Sequence, residues 1–341
     1  MSDITVAGGR ATRRGRPGAG AAEAARQPLD ARRVLQLALA AVWLLDALLQ
    51  YQSFMFTKGF GQMLAGTAPG NPGVVASPIT WDARLVEQHT VLLNTIFATI
   101  QLLLALGIAW RPTVRVALAA SIAWALGVWW FGEGLGEILT PSASPVNGAP
   151  GAVIIYALLA VLLWPSDRHA ATAPFTAARA VGAPVARALW LVLWGSLAYF
   201  ALLPGNRTAQ GLSGMISGMA SGEPGWLAAL DNHAASLLAH QGLAASIVLA
   251  IALAVIAIGV YLPFSAARAT VVLAIVVAAL IWVFGEAFGA ILAGGATDPN
   301  SGLLLILLAL AYWPIRAVSA ATAAPAVQPV GRAAGKEEAT P

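Results

Sequence analysis

The 341-residue chain contains no cysteine. That excludes disulfides, thiolate metal sites, covalently attached c-type haem and cysteine nucleophiles, and it leaves the redox compartment unread. Charge is scarce as well: charged residues make up 10% of the chain, against roughly 25% in a soluble domain. No Walker loop, no GxGxxG following a strand, no HExxH and no GxSxG occurs, so the common soluble-enzyme signatures are silent.

What the chain has is apolar length and a repeat. Hydrophobic residues fill 59% of positions, the composition of a membrane protein. Phe131–Leu139 reads FGEGLGEIL and Phe284–Leu292 reads FGEAFGAIL; each is followed by a short apolar segment closing on Trp164-Pro165 or Trp313-Pro314. Upstream, Gly59 to Met63 (GFGQM) is echoed by Gly211 to Met215 (GLSGM). Such self-similarity governs the architecture and is read first.

A crossing takes about 20 apolar residues for a hydrocarbon core of about 30 Å. Eight segments are candidates: Val34–Phe56, Leu85–Trp110, Val114–Phe131 and Ala149–Trp164, then Leu189–Leu203, Ala244–Leu262, Thr270–Phe284 and Ser301–Trp313. The fourth and eighth are short. The expected fold is all-α, a polytopic membrane protein of about eight transmembrane helices in two parallel four-helix repeats. The expected boundaries are a disordered basic cytoplasmic tail over 1–32, a first repeat over 33–166, a cytoplasmic linker over 167–186, a second repeat over 187–316 and a tail over 317–341. Residues 1–29 lack an apolar core and read as a tail rather than a cleavable signal.

If both termini share one side, all but Lys58, Arg84 and Arg207 of the 19 cations fall there. The positive-inside rule makes that side cytoplasmic, in a plasma or inner membrane. The sequence pI near 9.8 then reflects topology and attraction to anionic lipid head groups, and no nucleic-acid partner is implied because the cations are spread over loops. Asp82, Glu87, Glu133, Glu137, Glu223, Asp231, Glu286 and Asp298 gather on the opposite side.

Ionisable and amide groups inside spans are costly and mark function. Asp46 and Gln50 share one helix face by the i, i+4 rule. Asn94 and Gln101 lie seven apart on the next span, which His89 opens, and Glu133 closes the third. Together Asp46, Gln50, His89, Asn94, Gln101 and Glu133 are expected to form one cluster in the outer half of the first repeat. Overlaying the halves sets Leu197 near Asp46, Ala245 near Asn94 and Ala252 near Gln101, so the second half keeps only Glu286 and either His240 or His233. The competing reading is structural: buried polar groups pin helices through interhelical hydrogen bonds, and glycines near each Glu permit close packing. His89 and His240 could bracket a b-type haem. Met63, Met215 and Met219 suit Cu(I), though their glycine-rich surroundings point to irregular interfacial turns. Trp129, Trp130, Trp282, Trp164 and Trp313 fit aromatic belts.

The stretch Ala98 to Arg111, with Gln101, an apolar run, Gly107 and Arg111, resembles the DoxX/DoxD family of four-helix membrane proteins, as does the opening span ending in Asp46 and Gln50. The chain would be two fused DoxX-like modules. It departs from the family at Gln101, where a Glu is usual, and at Ala47 and Gln50, where Gly and Lys are expected. The resemblance implies membrane redox chemistry, with a quinone as the cofactor it admits and a membrane redox partner. Asp46, Gln50 and Gln101 would then be hydrogen-bond partners, and Glu133 or His89 would exchange protons. Two other readings stay open: a small-solute or ion transporter built from parallel repeats, and a non-catalytic assembly subunit. Whether the protein is an enzyme is left open.

Overall fold

The computed structural model describes residues 30–315, and the expected tails over 1–29 and 317–341 lie outside the described residues. Among the described residues, six helices of eight or more residues make up the first half: α1 (Ala31–Leu49), α2 (Lys58–Ala65), α3 (Gly73–Gln88), α4 (Thr90–Ala109), α5 (Val114–Phe131) and α6 (Ala152–Leu162). Six follow in the second: α7 (Ala183–Ala201), α8 (Gly211–Met219), α9 (Gly225–Leu238), α10 (Gly242–Gly259), α11 (Phe264–Leu280) and α12 (Asn300–Ala311). No strand occurs among the described residues.

This is an all-helical membrane protein. Five helices, α4, α5, α7, α10 and α11 with its continuation to Ala293, are long and apolar enough to cross a bilayer. Their outward faces are apolar: Val116, Val192 and Val248 are 74%, 69% and 67% exposed, a surface that lipid tolerates and water does not. Helix α1 has the length, 19 residues, but carries Arg32, Arg33 and Asp46. Helices α6 and α12 have only 11 and 12 residues, roughly 16 to 18 Å at 1.5 Å per residue.

Several expected boundaries move. Asp30 caps α1 by accepting from the Arg32 amide at 3.3 Å, so the helix begins inside the segment read as tail. It stops at Leu49 instead of running to Phe56, because the Phe-rich stretch Ser53–Phe56 closes a separate 3-10 turn. The span expected over Leu85–Trp110 breaks at His89, whose φ of −129° and ψ of 37° leave the helical region. Helix α7 begins at Ala183, so the linker is shorter than 167–186. The methionine segments, expected as irregular turns, are the short helices α2 and α8; Met63 packs on Met55, Phe60 and Val86, and Met215 on Leu212 and Ile216.

Buried positions recur at matching spacing in the two halves. On α1 and just beyond it, Leu35, Leu39, Val42, Trp43, Asp46, Leu49 and Gln50 are buried; on α7, Ala186, Trp190, Leu193, Trp194, Leu197, Phe200 and Ala201 are. Helix α4 buries Thr90, Asn94, Ala98, Gln101, Leu104, Ala105 and Ile108, while Gly242, Ser246, Ala250, Leu253, Ile256, Ala257 and Val260 are buried along α10 and its cap. The register on α10 therefore differs from the expected one: Ser246, not Ala245, falls in the place of Asn94, and Leu253, not Ala252, in that of Gln101.

Each repeated acidic motif folds as a left-handed turn. Residues 134–137 and 287–290 all have positive φ, a conformation that non-glycine residues rarely adopt. Gly136 and Gly289 are required there, since a Cβ would lie 2.0 Å from the Pro150 oxygen or 2.5 Å from the Pro299 carbonyl carbon. Those same carbonyls accept the indole N–H of Trp129 (2.7 Å) and Trp282 (2.8 Å), so these two half-buried tryptophans tie each turn to the helix before it.

The loops that follow cross between halves. The Asn206 side chain, beyond α7, donates to Ala143 O at 3.0 Å, and the Gln52 side chain, beyond α1, donates to Ala296 O at 3.0 Å. At the opposite end, Arg32 and Arg179 bracket Asp167 (3.1 and 2.8 Å) and Arg179 meets Asp30 at 2.6 Å. Arg187 lies over Tyr261 and Arg268 over Trp313.

Candidate functional site

A cavity of about 570 Å³ lies at the end of the bundle away from the arginine cluster. Helices α1, α2, α4 and α5 wall it, and residues 289–300 of the second half complete it. At its floor, Asp46 Oδ2 accepts from the Tyr156 hydroxyl of α6 at 2.5 Å while Oδ1 has no partner. Trp43 stacks on Tyr156 at 4.3 Å between ring centroids and donates to Ser121 Oγ at 3.1 Å, fixing that floor. Because α1 ends at Leu49, Asp46 sits in its last turn, and it does not hold the mid-span place that a helix reaching Phe56 would give it.

Gln50 and Gln101 line this space, and the Oε1 of each is buried without a partner. Glu133, just past α5, accepts the Val153 amide at 3.3 Å with Oε1. That caps the first turn of α6, where unpaired amides and the helix dipole favour an anion. Its Oε2 is buried and unpartnered. Asp298 accepts from Thr297 Oγ1 (2.8 Å) and the Asn300 amide (2.7 Å); burial pushes its carboxyl above the ordinary range against those bonds. Asp82 and Glu137 complete the rim, both also raised by burial. Phe60, Phe97, Trp124 and Phe131 supply the aromatic wall. Among the described residues no Lys, Arg or His side chain lines it.

The expected cluster is only partly assembled. Asp46, Gln50, Gln101 and Glu133 share the cavity. Asn94 lies behind it, fully buried, its amide donating to Gln50 O at 2.7 Å. His89 does not join, because the break it occupies leaves it exposed at the α3–α4 corner. His240 is likewise exposed, at the α9–α10 corner with φ 65°, next to Gln241, which holds the place before α10 that His89 holds before α4, whereas His233 lies within α9. Glu286 is buried in the second half, accepting from the Ser301 hydroxyl and, at 2.8 Å, from the Gly302 amide at the start of α12.

Sequence reasoning missed Tyr156, Trp124 and Asp298 as lining or floor residues. Tyr156 is the only polar side chain of α6, a signal that could have been read. Asp298 reaches the site across the half boundary, which no local pattern announces. Among the described residues no three His, Asp or Glu side chains gather closely enough to hold a metal ion.

Comparison with protein-family models, curated proteins and solved structures found no match to the chain. The likeness to DoxX/DoxD rests on the residues quoted for it.

Proposed function

We propose that the chain is a multi-pass protein of the plasma or inner membrane, two parallel four-helix modules with eight crossings and both termini cytoplasmic. In this reading its first module takes a small molecule from the outer side. Supporting the eight crossings, α1 and the short α6 and α12 occupy the same positions in the order of each half as their longer-reaching neighbours require, and the cavity volume lies within the roughly 300–1,000 Å³ of small-molecule sites. The observation that carries the binding role is the aromatic cavity floored by Asp46 and Tyr156, whose matching places in the second half hold Leu197 and Leu305.

The test is extraction and mass spectrometry of small molecules from protein purified in mild detergent, beside native mass spectrometry of the intact complex. A molecule at near one-to-one occupancy in wild type, and lost in Asp46→Asn/Gln101→Leu of unchanged melting temperature, supports the reading. Protein that is empty in both, and gains no mass when incubated with membrane extract, sinks it.

A quinone-linked, DoxX-like role is the second reading. It is favoured by the Tyr156–Asp46 hydrogen bond beside the flat Trp43 ring, a phenol–carboxylate pair suited to accept a proton from a quinol. The acceptor-rich lining suits the hydroxyls of a quinol better than the carbonyls of a quinone, and the electrons would leave to a membrane redox partner. Recovery of a quinol or quinone in the same extraction would select this reading over transport of a solute.

A further inference from the structure

The cavity is acidic, and its chemistry is one-sided. Asp46, Glu133 and Asp298 lie close enough to feel one another's charge, and among the described residues no cationic side chain lines their cavity. Placing carboxylates in a poorly solvated interior without a partner is strongly unfavourable. The fold does not demand it, because the matching buried places of the second half hold Leu197, Ala201, Leu253 and Leu305 where the first holds Asp46, Gln50, Gln101 and Tyr156.

The unpaired atoms point the same way. Asp46 Oδ1, Gln50 Oε1, Gln101 Oε1 and Glu133 Oε2 are buried acceptors without donors, on side chains that include Asp46 at 1% exposure and Gln50 at 3%. An amide can turn over and offer its NH2 group; an ionised carboxylate accepts only. The one unpaired buried donor on the lining is the indole N–H of Trp124. Aromatic faces attract cations, and Phe97 and Trp124 pack together here with ring centroids 5.6 Å apart. A bare metal ion is disfavoured, since among the described residues no three His, Asp or Glu side chains converge and the space is far larger than an ion needs. An anion would meet carboxyl groups of its own sign.

The geometry points to a protonated organic amine with an apolar or aromatic body as the ligand, its N–H groups donating to Asp46, Glu133 and the glutamine oxygens and its body lying against Phe97 and Trp124. This inference rests on the small-molecule reading above and names its ligand class. Asp82 and Glu137 at the rim would draw such cations in, as clefts of one charge sign do.

Three probes sharing one ring decide it: phenethylammonium, neutral 2-phenylethanol and anionic 3-phenylpropanoate, each titrated calorimetrically into the full-length protein at pH 7. Phenethylammonium should bind at least tenfold more tightly than either, and Asp46→Asn should weaken it tenfold or more. Asp46→Asn keeps an acceptor for Tyr156, and Gln101→Leu installs the residue the second half already holds, so both are expected to fold; thermal melting checks this. Preference for the neutral or anionic probe, or equal binding of all three, overturns the cation inference while leaving a small-molecule site. If no probe binds between pH 6 and 9, the carboxyls hold protons only and the inference falls; the extraction experiment judges the broader reading separately.

Discussion

Asp46 on α1 and Leu197 on α7 hold the same step in the burial pattern of their helices, as do Gln101 and Leu253, yet the first of each pair lines an acidic cavity and the second is packed among apolar side chains. In the second half Val146, reaching over from the first, packs with Leu212, Ile216 and Ala235, and Met215, Ala245 and Leu249 close around them. What both halves keep is equally telling: the Trp129 and Trp282 indole bonds, the left-handed turns with Gly136 and Gly289, and the Glu133 and Glu286 caps on α6 and α12. The shared set holds the shape. The unshared set, Asp46, Gln50, Gln101, Trp124 and Tyr156, is free to serve a ligand. Glu133 belongs to both, one oxygen capping a helix and the other turned inward.

The comparison breaks most visibly at the shared positions. Gly136→Ala and Gly289→Ala should each destabilise by about 3 kcal/mol or more, through positive φ and backbone overlap, seen as lowered melting temperature or loss of folded protein. If either is silent, the turns are not what fixes the halves. Next, Glu286→Ala should cost about 2 kcal/mol from two lost charge-assisted bonds, and Glu133→Ala somewhat less because only one of its oxygens is engaged; equal losses would argue against the inward role of Glu133 Oε2.

The unshared positions sharpen the contrast. Asp46→Leu strands the Tyr156 hydroxyl and should cost roughly 1–2 kcal/mol. Adding Tyr156→Leu recreates the Leu197 and Leu305 pair and should restore wild-type stability or exceed it, as apolar replacement of buried polar groups often does, while abolishing ligand binding. A double variant less stable than the single would mean the polar floor is structural. At the basic end, Arg32 and Arg179 hold the Asp167 carboxyl below its ordinary range. A lowered value adds stability that is present above the ordinary carboxylate range and lost as pH falls through it. Exposure limits this to under about 1 kcal/mol, read as a small drop in melting temperature below pH 4 that Asp167→Asn removes. His89→Ala and His240→Ala, at exposed corners, should stay within about 0.5 kcal/mol and leave phenethylammonium binding unchanged.

Much of this was legible in the residues. The recurrence of FGEGLGEIL as FGEAFGAIL announced a repeated element, Val114–Phe131 matches α5 end to end, and four of the six residues expected to cluster do share the cavity. The failures have physical causes. An apolar run spanning a corner, as at His89, carries no hydropathy break, because the corner is made by two backbone angles. The register of Asn94 against Ser246 slipped by one since loop lengths differ between the halves and shift each helix by its own amount; only burial fixes it. Ser246, whose hydroxyl donates to Asn206 O at 2.7 Å, also shows Asn94 to be an anchor that both halves use. In the sequence Asp298 is one of eight acids on the side opposite the cations, and nothing local singles it out, because its site is made by packing between halves.

The crossed loops carry one more consequence. Residues 289–300 line the first half's cavity, while Val146 packs on Leu212, Ile216 and Ala235 of the second and Ala143 O accepts from Asn206, so each half expressed alone would lose contacts that the other supplies. Two separate identical chains exchanging these loops would be bound to change together at every position. Joined in one polypeptide, they can drift apart: one interior can turn polar while its twin, kept greasy and closed, goes on supplying the rigidity that both require.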